Sequence, residues 1–452
     1  MHNSKVAWLK AIAFMVMLIC INNILIFALS PANNISRNTI LDMYSEKKNI
    51  DMVFAGSSYS RRINPYIMNE ELNINTFDYG FNGQNYIGTY YCLKELFEYH
   101  QPKTVVLSTD LNSYTDKEEN PKSYMAIVSS LKSFSNKIQF YINSSADGSY
   151  LDRLSIWPKY HVKSLKDIPN NITNKLQENY INYPKDTQEQ IYKNSYENNK
   201  FGYMGKGFLK VDINNSKNVL NENKLGKMSR RSTELSTIQQ KNINYFKKIV
   251  NLCNENNSEL ILLHTPIPTS EIFKEKNYFE FNKEIGSIAK NNGVDYYDFN
   301  LVKPELFQAK TEYFQDTAHL NSKGADIFTK SFAEFLKLRT SGEDMSKYFY
   351  TPQEYFNSIN YINNTWFNLK KDNSKLILIA DSFYGTGVKP EYQFWLIDSQ
   401  TGKKEVIRDY DTDPQFTFKK PALSKYKIRV NAREVGSNNE FMRYYEEEFG
   451  EK

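Results

Sequence analysis

Val53-Phe-Ala-Gly-Ser-Ser-Tyr-Ser-Arg-Arg62 is the stretch on which the reading of the fold turns. It opens as an apolar run with the character of a buried strand, breaks at Gly56-Ser57-Ser58 and becomes polar. Asn64-Pro65 then offers a helix start, with Pro at the first helical position. A strand that feeds a serine into a tight turn is one place a nucleophile can sit. Gly-Ser-Ser is equally at home in a surface loop, so the triplet takes its meaning from the rest of the chain.

Working outward, strands and helices alternate. Residues 49–55 read as a first strand and 75–78 as a second. Gly80 and Gly83 follow, then an amphipathic helix to about Tyr99 with Ile87, Tyr91, Leu93 and Leu96 inward. Gln101-Pro102 stops that helix, and 104–108 is a short buried strand. After a long interval the pattern resumes: a helix over 235–256, a strand over 259–263, a helix over 277–291 closed by Asn292-Gly293, and a strand over 294–298. Asn321-Ser322 caps a last helix whose inner face is Ala325, Phe328, Phe332, Phe335 and Leu336. Such alternation predicts a parallel, three-layer α/β sheet.

Residues 114–233 are polar, rich in Asn and Lys, with aromatic patches at 156–161 and 201–205. A structureless loop of that length is improbable in a compact domain, so the stretch reads as a helical insertion capping the sheet edge where loops gather. Beyond Asp344, apolar runs at 375–380, 392–397, 415–418 and 426–430 are separated by turns, which predicts a small antiparallel β-sandwich.

At the other end, residues 6–29 are nearly continuous apolar sequence, long enough to cross a bilayer. Lys5 and Lys10 put the N-terminus in the cytoplasm and the chain after Ser30 outside. A cleaved signal peptide ending near Ala28-Leu29-Ser30 is the rival reading. The expected organisation is therefore cytoplasmic tip and anchor over 1–30, linker over 31–48, catalytic domain over 49–343 with insertion 114–233, and a β-rich domain over 350–452. A net charge of +5, dispersed over 57 basic and 52 acidic residues, argues against nucleic acid. The three cysteines, Cys20, Cys92 and Cys253, read as free and buried. No Cys/His cluster has metal-ligand spacing, and no cofactor is expected.

A serine nucleophile needs a base, and the base an orienting group, with no constraint on sequence distance. Of five histidines, His2 lies before the anchor, His100 ends a helix, His161 lies in the insertion, and His264 closes a strand with no carboxylate close in sequence. His319 has Asp316 three residues before it, on a turn entering a helix. Asp316 can therefore hold one ring nitrogen and leave the other for a serine. Ser58 follows the first strand and His319 the last, and in an open parallel sheet both loops lie at the carboxyl ends of strands. Ala380-Asp-Ser-Phe383 also follows an apolar run, but its surroundings are antiparallel and no Asp-x-x-His follows Ser382.

Gly56-Ser57-Ser58, Gly80-Phe-Asn-Gly83, Asp110-Leu-Asn112 and Asp316-Thr-Ala-His319 with Leu320-Asn-Ser-Lys-Gly324 resemble the four blocks of the SGNH (GDSL-like) hydrolase superfamily. Gly-Ser-Ser in place of Gly-Asp-Ser, the anchor and the long insertion resemble its extracytoplasmic O-acyltransferase branch, which acts on teichoic acid, peptidoglycan and exopolysaccharides. The resemblance spans about 51–338 and implies a flavodoxin-like three-layer sheet. It implies Ser58 as nucleophile, His319 as base and Asp316 as its orienter. The oxyanion hole would be the Ser58 and Gly83 amides with the Asn112 side chain, although the family's Gly-x-Asn-Asp is here Ser108-Thr-Asp-Leu-Asn112.

The resemblance further implies acetyl transfer to a cell-envelope or secreted polysaccharide, fed by a polytopic membrane-bound O-acyltransferase. Water in place of the glycan would make the same residues an esterase. A non-catalytic glycan-binding or assembly protein on the same fold is a third reading.

Overall fold

The computed structural model describes residues 2–32, 34–116, 120–145, 153–154, 157–158, 160–183, 186–196, 201–212, 226–227, 237–272, 278–372, 375–419 and 425–450. Leu235 and Asn277, where two helices are expected to begin, lie outside these residues, as do Ile156 and Lys159 of the aromatic patch. Two compact units divide the chain: residues 1–211, 237–263 and 288–297, and residues 212–236, 264–287 and 298–452.

The first eight strands are β1 (Met52–Gly56), β2 (Thr76–Gly80), β3 (Thr104–Ser108), β4 (Phe201–Tyr203), β5 (Leu209–Val211), β6 (Gly226–Lys227), β7 (Glu259–His264) and β8 (Asp295–Asp298). Five form one sheet in the order β2-β1-β3-β7-β8. β1 runs parallel to β2 and β3, and β3 parallel to β7. Every residue of β1 and β2 is buried, as expected of strands covered on both faces. The chain order reverses between β1 and β3, and in open α/β sheets ligands bind outside the carboxyl ends of the strands at that switch point. Ser57 and Ser58 leave β1 there, and Thr109 and Asp110 leave β3.

Four helices come early: α1 (His2–Leu29), α2 (Ile35–Ser45), α3 (Pro65–Leu72) and α4 (Tyr86–Leu96). α1 contains a 24-residue stretch, Val6–Leu29, long and apolar enough to cross a membrane. Cys20 is exposed on it, contrary to expectation, because this helix has lipid-type side chains all round; Cys92 and Cys253 are buried. α2 occupies the stretch read as linker. Asn34 caps it by accepting from Arg37 N–H at 3.2 Å, and Ile40 and Met43 are fully buried. α3 starts as its sequence predicts, with Asn64 accepting from Tyr66 N–H and Pro65 in the first turn. α4 stops at Leu96, short of Tyr99, as the chain turns toward Pro102. Its Tyr86 and Tyr90 meet Phe246 and Tyr245 of the helix Gln240–Glu255.

The insertion is helical over Pro121–Ser130, Phe134–Ser144, Ile168–Leu176, Glu178–Ile181 and Gln188–Tyr196, but it also carries an unforeseen β4/β5 hairpin. Gly205, Lys206 and Gly207 turn it with positive φ. This hairpin covers the open edge of β2: Asp78 N–H donates to Lys206 O at 2.9 Å.

In the second unit the helix Ser322–Thr340 buries Ala325, Phe328, Phe332, Phe335 and Leu336, the expected inner face. Phe299 meets the rings of Phe328, Phe332 and Phe335 edge-on at 5.3–5.5 Å. Seven further strands follow: β9 (Ile362–Asp372), β10 (Lys375–Tyr384), β11 (Pro390–Asp398), β12 (Lys404–Asp411), β13 (Gln415–Lys419), β14 (Lys425–Glu434) and β15 (Arg443–Gly450). They make two sheets, β13-β10-β9 and β12-β11-β14-β15-β6, antiparallel except where β6 joins β15. Both sheets feed one buried cluster that includes Trp366, Leu378, Phe394, Ile428 and Tyr445. Four of these strands carry the expected apolar runs. β9, β12 and β15 are too rich in Asn, Lys and Glu to announce themselves, and their pairing is set by tertiary context.

Candidate active site

The turn after β1 depends on Gly56, whose φ is +120° and whose missing Cβ would stand 2.5 Å from Ser108 Oγ. Ser57 is buried and its hydroxyl donates to Asp110 Oδ2 at 3.2 Å. Asp110 Oδ1 in turn accepts from Ser113 N–H and Oγ, both at 2.7 Å, capping the short helix Leu111–Thr115. Ser58, the next residue, is half-buried. The two serines therefore differ: Ser57 ties β1 to β3, and Ser58 sits on the turn itself.

A second layer of bonds, invisible in the motif, holds this turn. Ser60 Oγ reaches Ser57 O at 3.0 Å and Asp78 Oδ1 at 3.2 Å. Arg61, fully buried, donates through Nε to Gly80 O at 2.6 Å and through Nη2 to Ser36 Oγ at 3.3 Å. Burial pushes the Asp78 carboxyl well above the ordinary range, against the pull of Arg61. Gly83 is exposed with φ +65°, and α4 begins three residues later, capped by Asn85 on Ile87 N–H and Gly88 N–H. Asn112 is exposed on the helix Leu111–Thr115.

Asp316 and His319 meet in the second unit. His319 Nδ1 lies 3.1 Å from both oxygens of Asp316. Asp316 Oδ1 also accepts from Ala318 N–H and His319 N–H, each at 2.8 Å, so the aspartate folds the turn that brings its partner back. The loop is closed by an antiparallel bridge between Phe314 and Leu320. Asn321 caps the following helix at Gly324 N–H and donates to Glu312 O. Gly324 is obligatory because a Cβ there would lie 2.1 Å from Tyr313 O. Burial opposes ionisation of Asp316, but the His319 hydrogen bond and charge with the two backbone N–H groups outweigh it and hold the carboxyl well below the usual range. With Nδ1 committed to a carboxylate, Nε2 is the basic atom of the neutral ring.

The structure thus joins Asp316 to His319 and ties Ser57 to Asp110. Ser58, Gly83 and Asn112 belong to the first unit, and Asp316 and His319 to the second.

A second pair escapes the sequence. His264, the last residue of β7, has Nδ1 3.5 Å from Oδ1 of Asp298, the last residue of β8. Both are buried, and Asp298 also accepts from Tyr278 Oη, Asn282 Nδ2, and Asn300 N–H and Nδ2. The only available signal was that both residues end strands adjacent in a parallel sheet. His100 donates through Nε2 to Met43 O, 2.8 Å away, and exposed His161 donates through Nδ1 to Val162 O. Ser382 lies inside antiparallel β10 with its hydroxyl on Thr365 Oγ1 at 3.0 Å, the environment of a ladder residue. Among the described residues no group of three or more His, Cys, Asp or Glu is arranged to hold a metal ion.

No family model and no curated protein matches the chain. Among solved structures, one provisionally described as a platelet activating factor from Streptococcus pneumonia is 12% identical, covering 67% of this chain and 91% of its own, with a TM-score of 0.32. Another, provisionally described as an acylhydrolase from Bacteroides fragilis, is 12% identical over 66% of this chain and 93% of its own, with a TM-score of 0.29. Likeness at this level carries no argument about the reaction, which rests on the chain's own residues.

Proposed function

We propose that the chain is a membrane-anchored serine O-acyltransferase acting outside the cytoplasmic membrane on a cell-envelope or secreted polysaccharide, with acetyl as the group moved. The observation that carries this reading is the Asp316–His319 pair, a base held by its own turn and helix cap at the motif position the SGNH-like blocks predict.

His319 Nε2 takes the Ser58 hydroxyl proton as Oγ attacks the carbonyl of an ester or thioester donor. The tetrahedral oxyanion is received by the Ser58 and Gly83 amides, with Asn112 as third donor. Collapse returns the proton to the leaving group and leaves an acyl-serine. A glycan hydroxyl, deprotonated by the same ring, then takes the acyl group and frees Ser58. Asp316, anionic throughout, keeps Nδ1–H in place and stabilises the charged ring. Because the acyl supply is cytoplasmic, the donor is delivered by a polytopic membrane-bound O-acyltransferase. The positive-inside tendency, with Lys5 just before the apolar stretch and Lys10 near its start, supports an N-terminus on the cytoplasmic side.

The test is covalent labelling of the full chain with a serine-directed acylating probe, read by intact mass and peptide mapping. Labelling at Ser58 that is lost in Ser58→Ala and strongly slowed in His319→Ala is expected. No label on Ser58 would overturn the reading in favour of a binding or assembly role. Acetate release from an acetylated glycan at enzymatic rate, with no transfer to an added acceptor, would reassign the same residues to an esterase.

A further inference from the structure

The end of α1 is gripped by a segment from far along the chain. Asn22, in the polar break of the apolar run, donates to Leu154 O at 3.0 Å and accepts from Trp157 Nε1 at 3.2 Å. Val162 N–H donates to Leu29 O at 2.8 Å. Asn171 Nδ2 reaches Ala28 O and Ser30 O, and Lys175 Nζ reaches Phe27 O, Ser30 O and Ser30 Oγ. These are the carbonyls a helix leaves without partners at its C-terminal end, and a lysine there also suits the helix dipole. Arg37 donates to Tyr180 O at 2.9 Å and stacks on the Tyr180 ring at 3.8 Å.

Along this clamp the side chains that reach solvent include Leu154, Leu165, Leu176 and Ile181, each between 52% and 78% exposed. Each is itself bonded to the anchor end, or lies within three residues of a group that bonds to the anchor or to Arg37 just beyond it. Asn22 stands seven residues before Leu29, about 10 Å along the helix axis. The 24 apolar residues make a helix of about 36 Å against a hydrocarbon core of about 30 Å. The level from Asn22 to Ser30 is therefore the outer boundary of the bilayer, and the clamp lies beside it rather than above it. Leu154 O and Val162 N–H of the clamp are bonded to the anchor, its indole is of the kind that settles at the boundary, and its exposed leucines are not needed by the core.

We propose that the clamp formed by residues 154, 157–158 and 160–181 is a membrane-docking collar: Leu154, Leu165, Leu176 and Ile181 enter the outer leaflet around α1. The collar rests on the reading of α1 as a retained span. Its occupant is lipid at the headgroup–acyl boundary. It makes the anchor a fixed mount for the unit that carries Ser58, where a bare span would be a flexible tether.

Leu165→Cys, Leu176→Cys and, on α1, Leu18→Cys are introduced one at a time into the full chain in a Cys20→Ala background, where the two remaining native cysteines, Cys92 and Cys253, are buried. They are labelled with an environment-sensitive fluorophore and reconstituted in phosphatidylcholine nanodiscs with or without 5-doxyl or 12-doxyl lipid. At positions 165 and 176 the expected result is blue-shifted emission, quenched about twofold by the 5-doxyl lipid, the depth of a helix lying about 5–10 Å into the boundary. The label at 18 is expected to be quenched by the 12-doxyl lipid. Quenching at 18 with water-like, unquenched emission at both 165 and 176 overturns the collar and leaves the anchor standing. No quenching at 18 overturns the anchor reading and the collar with it.

Discussion

The second unit holds two histidine–carboxylate pairs built on opposite plans. Asp316 and His319 are three residues apart, joined by a turn that the aspartate itself folds, and their side chains are 43% and 22% exposed. His264 and Asp298 come from the ends of two strands, are buried, and share their carboxylate with a tyrosine and two asparagines. The first carboxylate bonds only within its own turn, to Gln315 Nε2, two backbone N–H groups and the ring. The second is a hub whose acceptor capacity is taken up by holding strand ends and the helix Tyr278–Asn291 together. A base must exchange protons with substrate, so the more exposed pair is suited to chemistry and the buried one to architecture.

The largest effect should separate the two rings. His319→Ala is expected to slow Ser58 acylation by about 10²–10⁴-fold, the contribution of a general base. His264→Ala should cost less than about tenfold, well short of that loss. Release of p-nitrophenol from p-nitrophenyl acetate, with intact mass to count acyl-serine, measures both. The reverse ranking would make His264 the base and break the comparison.

The carboxylates should invert that order when stability is measured instead. Asp298→Ala leaves Tyr278, Asn282, Asn300 and His264 without their acceptor in a buried site, which is expected to cost about 3 kcal/mol or more. Asp316→Ala, in a half-exposed turn, should cost under about 1 kcal/mol after solvent screening. Chemical denaturation of the two variants at one pH decides it. Equal losses would mean that Asp316, too, is chiefly structural.

What the sequence made legible follows the same division between local and distant. β1, β3 and β7 could be read because short apolar runs between breakers leave little choice. The Asp316–His319 contact could be read because the two residues share one turn. The His264–Asp298 pair could not, since 34 positions separate residues that meet only once strands are ordered. The β4/β5 hairpin was lost inside a polar stretch because three successive positive-φ residues, not an apolar pattern, create it. Arg61 was also missed: a buried arginine next to a serine turn looks like any surface basic residue until Gly80 O is found at its Nε. The motif did suggest that the second serine matters, and the hydrogen bonds give Ser57 a separate duty on Asp110. Ser57→Ala should therefore cost about 1 kcal/mol of stability, one buried hydrogen bond, while Ser58 still takes the acyl probe. Loss of labelling in Ser57→Ala would move the nucleophile by one residue.

The smallest effect lies in pH. Burial works against the Asp316 carboxylate, yet the His319 contact and two backbone N–H groups hold its folded-state ionisation well below the usual range. A carboxyl depressed on folding binds fewer protons in the native state, so its contribution is fully present above the unfolded value of about 3.9 and is lost as pH falls through the lower folded value. The stability difference between the parent and Asp316→Asn should then stay flat from about pH 8 to pH 5 on the carboxylate side and shrink only below about pH 4. Denaturation midpoints across that range test it. A difference that already shrinks between pH 7 and pH 5 would mean that Asp316 takes up a proton in the working range. It would then be a partner whose charge His319 cannot rely on, and the contrast with the buried Asp298 would no longer favour the Asp316–His319 pair for chemistry.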